Sequence, residues 1–334
     1  MKVLVTGGAG FIGAHVGQAL QKRGDALIVL DNFNTYYDPK LKQARLTHLL
    51  DPDTRVISLD ITDGERLTRC LRELRPEAVI HLAAWPGVHP SRRFPSLYSS
   101  ANVLGTVNVF EACKVAGVSR ILFASSSSVY GPSAPVPSSE DAAQSTPPSG
   151  YGVSKRAGEL YAELYHRLDG LQITCLRYFT AYGTWYRPDM GLWRFTESIV
   201  KRRPLRLFVR SADGREVRRG FTDIRDVVRG TLLALDRHHP FAIVNMGSGD
   251  SVPLRRVVAA LEAATGRSAN ISEQVLPANE EVQTAADGTR ARDLLGFAPS
   301  TRVEEGVQPF VSWYLKEYQR LFPSGLTPSQ YWAE

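Results

Sequence analysis

The chain has 334 residues, 43% hydrophobic and 22% charged, which is enough apolar material for a large core and excludes disorder or a coiled coil. No apolar run reaches the roughly 20 residues that a membrane-spanning helix needs. The formal charge of +6 points to an anionic partner: nucleic acid, a membrane surface or a small polyanion.

Val3-Leu4-Val5 reads as a strand and Phe11 to Arg23 as a helix. Ala26 to Leu30 and Arg55 to Leu59 read as strands, and Leu67 to Arg75 as a helix. Ala78 to Leu82 and Arg120 to Ala124 are further strands, with a helix from about Asn102 to Ala116 between them. This βαβ alternation predicts an α/β, Rossmann-type doubly wound parallel sheet, with ligands bound at the carboxyl ends of the strands. After Ser125, five prolines from Pro132 to Pro148 mark a long loop. Tyr151 to Leu168 reads as a helix, with Ala157, Leu160, Tyr161, Leu164 and Leu168 at helical spacing. Leu171 to Leu176 is a strand. Beyond about Tyr182 the alternation loosens, leaving a strand at Ala242 to Met246 and a helix at Leu254 to Ala264. The expected division is a dinucleotide-binding domain over 1–181, including the 151–168 helix. A smaller α/β substrate-binding domain covers 182–334, with some chain crossing between the two.

Gly7-Gly8-Ala9-Gly10-Phe11-Ile12-Gly13 follows a strand and opens a helix. Gly7 permits a tight turn, Gly10 lets the backbone approach a pyrophosphate, and Gly13 allows close helix–strand packing. The free N–H groups at the helix start then face the phosphates. Asp31 closes the second strand, where a carboxylate accepts the ribose hydroxyls of adenosine and repels a 2′-phosphate. No basic residue follows it directly. The expected cofactor is therefore NAD rather than NADP.

Tyr151 and Lys155 form a YxxxK pair. Residues four apart on a helix share a face, and an ammonium beside a phenol lowers its pKa from about 10. The phenolate is then usable as a general base. Ser126 ends the Arg120 strand, placed to hydrogen-bond the oxygen that exchanges a proton. Cys70, Cys113 and Cys175 are widely spaced, suit a reducing cytoplasm and have no metal-ligand spacing, so no metal is expected. Between Lys201 and Arg229, ten basic side chains face four acidic ones, an excess equal to that of the whole chain. No aromatic platform or nucleic-acid motif accompanies them. The expected partner is a polyanionic small ligand, with no nucleic acid and no membrane.

Gly7, Gly10, Gly13, Asp31, Ser126, Tyr151 and Lys155 together resemble the extended short-chain dehydrogenase/reductase superfamily. His81-Leu82-Ala83-Ala84, Asn102-Val103-Leu104-Gly105-Thr106 and Asp60-Ile61 add to that resemblance. Within it, the run Asp31-Asn32-Phe33-Asn34-Thr35-Tyr36-Tyr37-Asp38 is similar to UDP-glucuronate 4-epimerases. So are Leu41-Lys42 and Ala44-Arg45-Leu46, Arg177 to Gly183, and Arg187-Pro188-Asp189-Met190. The resemblance implies tightly bound NAD, regenerated each turnover and held by Phe11, Ile12, Asn32, Asn34, Asp60, Ile61, Leu82, Ala83, Ala84, Asn102, Ser125 and Tyr178 besides the glycines and Asp31. It implies a UDP-sugar that loses a hydride at C4, becomes a 4-keto sugar and regains the hydride on the other face. Ser127, Ser128 and Thr180 are implied to face the sugar and its carboxylate, with Pro86 and Met190 beside them. Arg187 and Arg219 are implied to hold the diphosphate, and Phe208 to lie near the uracil.

Departures from the family pattern bear on the sugar. His89 stands where an arginine is expected near the carboxylate, with Arg92 and Arg93 as substitutes. Tyr186 replaces a glycine, and Gly220 an acid. Dehydratases and decarboxylases of this kind carry a glutamate before Val-Tyr-Gly, and here that place is Ser128. The expected activity is thus UDP-glucuronate 4-epimerase in a homodimer. UDP-glucuronate decarboxylase, UDP-glucose or UDP-N-acetylglucosamine 4-epimerase, and a non-catalytic dinucleotide sensor stand as alternatives.

Overall fold

Residues 1–142, 146–237, 239–277 and 280–331 are described by the computed structural model. The first half runs β1 (Lys2–Thr6), α1 (Phe11–Lys22), β2 (Ala26–Asp31), α2 (Pro39–Leu49), β3 (Arg55–Ser58), α3 (Gly64–Leu74), β4 (Ala78–His81). Short helices α4 (Val88–Arg93) and α5 (Pro95–Tyr98) precede α6 (Gly105–Ala116), β5 (Arg120–Ser126), α7 (Gly150–Asp169) and β6 (Gln172–Tyr178).

Seven parallel strands form the main sheet, in the order β11-β6-β5-β4-β1-β2-β3, where β11 is Phe241–Met246. Within β1 and β4, Val3-Leu4-Val5 and Ala78-Val79-Ile80 are fully buried hydrophobic runs, as a sheet covered on both faces requires. The chain winds outward from β1 to β3, then restarts at β4 on the other side of β1 and winds the opposite way. The crevice above the β1 and β4 carboxyl ends is therefore the topological switch point, where such sheets bind ligands.

The helix α2 has no counterpart in the sequence reading. Asp38 caps it by accepting from the Lys40 amide at 3.0 Å, and Pro39 fits its first position. Its inward residues are Leu41, Lys42 and Arg45, so the buried face carries two cations and lacks an apolar stripe.

The helix α7 starts at Ser149, whose hydroxyl accepts from Gly152, and stops at left-handed Gly170. Its buried face is Gly152, Ser154, Lys155, Gly158, Glu159, Ala162 and Tyr165. A β-carbon at Gly158 would stand 2.4 Å from the Phe123 ring, so glycine there seats the helix on β5. The apolar stripe of the sequence reading points outward: Leu160, Leu164 and Leu168 are exposed, Leu168 at 73%.

The second half supplies β7 (Thr180–Tyr182), α8 (Gly191–Val200), β8 (Pro204–Ser211), β9 (Arg218–Arg219), β10 (Phe221–Asp223) and α9 (Ile224–Asp236), then β11. After it come β12 (Val252–Pro253), α10 (Leu254–Thr265), β13 (Asn270–Leu276), α11 (Thr289–Leu295) and α12 (Val303–Trp313). Three two-stranded pairs, β10-β7, β12-β9 and β13-β8, build the substrate side. The helix α9 packs back on α1, and β11 pairs with β6, so the halves interpenetrate. Half of the ten cations in the basic segment are paired on the spot: Lys201 with Glu197, Arg215 with Asp213, Arg218 with Glu216, Arg225 with Asp223 and Arg229 with Asp226. Among the described residues, no helix is long and apolar enough to cross a membrane.

Candidate active site

A cavity of about 410 Å³ opens at the switch point. Its floor is the glycine turn. Gly7 has φ of +68°, and a β-carbon on it would stand 2.7 Å from the Ala83 nitrogen. On Gly13 a β-carbon would lie 2.3 Å from the Gly7 carbonyl, and on Gly10 2.9 Å from the same oxygen. Side chains would fill this cradle, so bare backbone and the start of α1 face the cavity, as a pyrophosphate needs. Phe11, Ile12, Asn32, Asn34, Asp60, Ile61, Leu82, Ala83, Ala84, Ser125 and Tyr178 all line the same cavity. These residues fit an adenine dinucleotide.

Asp31 lines the cavity from the end of β2. Its Oδ2 accepts from the Ala9 amide at 3.2 Å and its Oδ1 from the Phe33 amide at 2.9 Å. The absence of a basic neighbour in sequence is offset in space: α2 delivers Lys42, whose Nζ lies 3.0 Å from Asp31 Oδ1, both side chains buried. Two hydroxyls of the cofactor-side set are already engaged. Ser125 Oγ donates to Glu159 at 2.6 Å, and the Tyr178 hydroxyl bonds Thr231 at 2.8 Å, so Tyr178 offers its ring.

Asn102 does not line the cavity. Its Oδ1 accepts from the Trp85 amide at 2.7 Å, and its Nδ2 donates to the Trp85 carbonyl at 2.9 Å and to Ser154 at 3.0 Å. It pins the loop that follows β4, and Trp85 is the residue it presents.

The catalytic candidates converge. Ser126, Tyr151 and Lys155 come from the end of β5 and the first turns of α7, and all line the cavity. The Ser126 hydroxyl is near enough to the Tyr151 phenol to favour its ionised form. Enclosure by protein holds the phenol above its ordinary value, while the Ser126 hydroxyl and the Arg187 charge pull the other way. Lys155 does not bond the phenol directly. Its Nζ donates to the Ala124 carbonyl at 2.7 Å and lies 6.0 Å from the centre of the Tyr151 ring. Burial lowers its pKa to about 7. Lysine thus acts from beneath, while the hydroxyl beside the phenol is that of Ser126.

Pro86, Ser127, Ser128, Thr180, Met190, Arg187 and Arg219 line the same cavity. Asp189 grips Arg187 twice, at 3.0 Å and 2.5 Å, and also accepts from Tyr36 at 3.1 Å. Arg219 is the member of the 201–229 cluster that reaches the cavity; it donates to the Arg218 and Val282 carbonyls beside Glu281. Burial holds the Glu281 carboxyl above its ordinary value despite Arg219.

Two substrate candidates lie elsewhere. The His89 side chain is 75% exposed, with Nδ1 at 3.8 Å from Glu280, because α4 turns that face to solvent. Arg92 is 3.4 Å from the same carboxylate, Arg93 covers Phe94, and neither lines the cavity. Phe208 sits on an outward position of β8, 39% exposed. Tyr36, Tyr37, Lys42, Trp85, Glu281 and Thr284 line the cavity without a counterpart in the sequence reading of the site. Among the described residues, no group of three or more His, Cys, Asp or Glu is placed to hold a metal.

The sequence profile of the NAD dependent epimerase/dehydratase family matches residues 3–247. UDP-glucuronate 4-epimerase 5 of Arabidopsis thaliana is 40% identical over 333 residues, 95% of this chain and 76% of that one. The crystal structure of UDP-glucuronic acid 4-epimerase from Bacillus cereus, in complex with UDP-glucuronic acid and NAD, superposes with a TM-score of 0.85. It is 33% identical, over 95% of this chain and 99% of that one. The UDP-glucose 4-epimerase of Thermus thermophilus, in complex with NAD, has a TM-score of 0.84 at 30% identity, over 95% of this chain and all of that one.

Proposed function

The chain belongs to the NAD dependent epimerase/dehydratase family, and we propose that it interconverts UDP-glucuronate and UDP-galacturonate by reversible oxidation at C4. The observation that carries this reading is one cavity holding both the glycine turn and the Ser126–Tyr151–Lys155 group, with Ser127, Ser128 and Thr180 in the same lining.

NAD, held along the glycine turn and Asp31, supplies when bound an acceptor and later a donor for the C4 hydride. Tyr151 takes the proton of the 4-hydroxyl. Ser126 steadies the phenolate oxygen, and Lys155 beneath it favours the negative charge. Once the sugar has turned, Tyr151 returns the proton to the 4-oxygen. Arg187 and Arg219 hold the diphosphate throughout, so binding energy remote from C4 keeps the sugar in place while it rotates. Ser127, Ser128 and Thr180 receive the sugar carboxylate. A 4-keto glucuronate is a β-keto acid and can lose carbon dioxide. Serine at 128, where the related dehydratases carry a glutamate, favours return of the hydride.

Incubation with UDP-glucuronate, UDP-glucose and UDP-N-acetylglucosamine, with product separation and carbon dioxide detection, tests this reading. UDP-galacturonate without carbon dioxide is expected. Turnover of UDP-glucose but not UDP-glucuronate would overturn the substrate.

We further propose a cytoplasmic homodimer, divided functionally at about residue 181. Supporting the dimer, Val153, Leu160, Tyr161, Leu164 and Leu168 leave an exposed apolar stripe along α7, with Val115 exposed on α6. Three free cysteines agree with a reducing compartment.

A further inference from the structure

Arg45 lies on α2 behind the cavity wall and is fully buried. Its Nε and Nη2 donate to the Trp185 carbonyl at 3.0 and 2.8 Å, and Nη2 also to the Tyr186 carbonyl at 3.2 Å. Its Nη1 donates to the Ala9 carbonyl at 3.3 Å and to the Tyr37 hydroxyl at 2.6 Å. Among the described residues, every hydrogen-bond partner of this cation is neutral, and burial pulls its guanidinium below the ordinary arginine value. A buried cation with no carboxylate bonded to it is costly, and Asp31 acts on it only at a distance. A neutral side chain would fill the space at less expense, so the fork of donors is what the position uses.

The carbonyls it gathers come from both walls of the site. Ala9 belongs to the glycine turn. Trp185 has φ of +59°, a left-handed conformation that a bulky residue rarely adopts, and its carbonyl is turned onto Arg45. Tyr186 packs against Phe11 at the start of α1, with ring centres 4.9 Å apart. Arg187 comes next and lines the cavity together with Tyr151.

We propose that Arg45 is a positioning residue that couples the two halves of the cavity. One rigid guanidinium fastens the turn to the segment carrying Arg187, so a diphosphate ester bound on either side tightens the other. The anion is the dinucleotide at the turn or the sugar nucleotide at Arg187. This rests on the reading of the cavity as a shared site for both. The first ligand orders carbonyls that the second would otherwise have to order itself, which is positive coupling.

The test is calorimetric titration of UDP into the protein with and without NAD, for wild type, Arg45→Lys, Arg45→Met and a control, Val307→Ala. Val307 is fully buried on α12 and does not line the cavity. In wild type, NAD tightens UDP by about tenfold, within the usual range for coupled sites. In Arg45→Met that factor falls to within about twofold of unity. Arg45→Lys keeps the charge without the fork and also loses most of the coupling. It decides the matter if the methionine variant does not fold. Val307→Ala lowers the thermal midpoint and keeps the wild-type factor, which separates positioning from stability. An unchanged factor in the foldable Arg45 variants, or none in wild type, overturns the proposal. Failure of UDP and NAD each to bind wild type would instead sink the proposed function.

Discussion

Replacing Glu159 with glutamine removes one negative charge at nearly constant volume from beneath the catalytic strand end. Glu159 and Arg177 have side chains 0% and 1% exposed. The carboxylate accepts from Arg177 Nε at 2.7 Å and Nη2 at 2.9 Å, from Ser125 at 2.6 Å and from Arg156 at 2.9 Å. Breaking a buried pair by removing one partner costs about 3–5 kcal/mol. Arg177 keeps the Tyr130 hydroxyl and the Glu140 carbonyl through Nη1, and glutamine still accepts one bond, so the low end applies, about 3 kcal/mol. At about 2 °C per kcal/mol for a chain of this size, the thermal midpoint falls by roughly 6 °C. Burial alone would raise this carboxyl, but Arg177, Ser125 and Arg156 hold it below its ordinary value. A depressed carboxyl stabilises the fold above the unfolded value of about 4.3, and that contribution is lost as pH falls through the lower folded value. Wild type therefore loses stability on acidification in that window, and Glu159→Gln lacks that part of the slope. Urea denaturation between about pH 3 and pH 7 spans that window and reads both quantities. Equal midpoints for the two proteins at neutral pH, with equal acid slopes, would refute the reasoning.

Gly13→Ala drives a β-carbon to 2.3 Å from the Gly7 carbonyl, so NAD affinity falls at least about tenfold; calorimetric titration of NAD, or the NAD absorbance of the purified protein, reads this. Asp31→Ser frees Lys42 at the ribose end, and the ratio of NADP to NAD affinity rises by about tenfold; an unchanged preference in binding assays contradicts the assignment of that end. The Tyr186 hydroxyl is buried with no hydrogen-bond partner among the described residues, so Tyr186→Phe stabilises the ligand-free protein by about 1 kcal/mol. A lowered denaturation midpoint for that variant would show the hydroxyl to be engaged.

The parts of the site legible in the sequence were those whose chemistry is local. The Gly7 to Gly13 turn, Asp31 at a strand end and the Tyr151–Lys155 spacing each state their geometry within a few residues. The helix α2 was missed because its buried face is made of Lys42 and Arg45, which no hydrophobic period reveals. Asn102 looked like a cofactor contact, yet its amide is spent on both backbone groups of Trp85. Long-range electrostatics were least legible. Half of the ten cations between Lys201 and Arg229 pair with acids a few residues away, and of the segment Arg219 reaches the cavity. The α7 stripe from Leu160 to Leu168 had the right period for burial, but one chain supplies nothing to cover it.

The central claim is that hydride removed at C4 returns to the same carbon without exchange. UDP-glucuronate deuterated at C4, incubated with the purified protein and no added reductant, tests it most directly. The account predicts UDP-galacturonate carrying the deuterium at C4, and no product from a Tyr151→Phe variant at comparable rate. Loss of the label to solvent, release of carbon dioxide in place of the epimer, or undiminished turnover by Tyr151→Phe would contradict it.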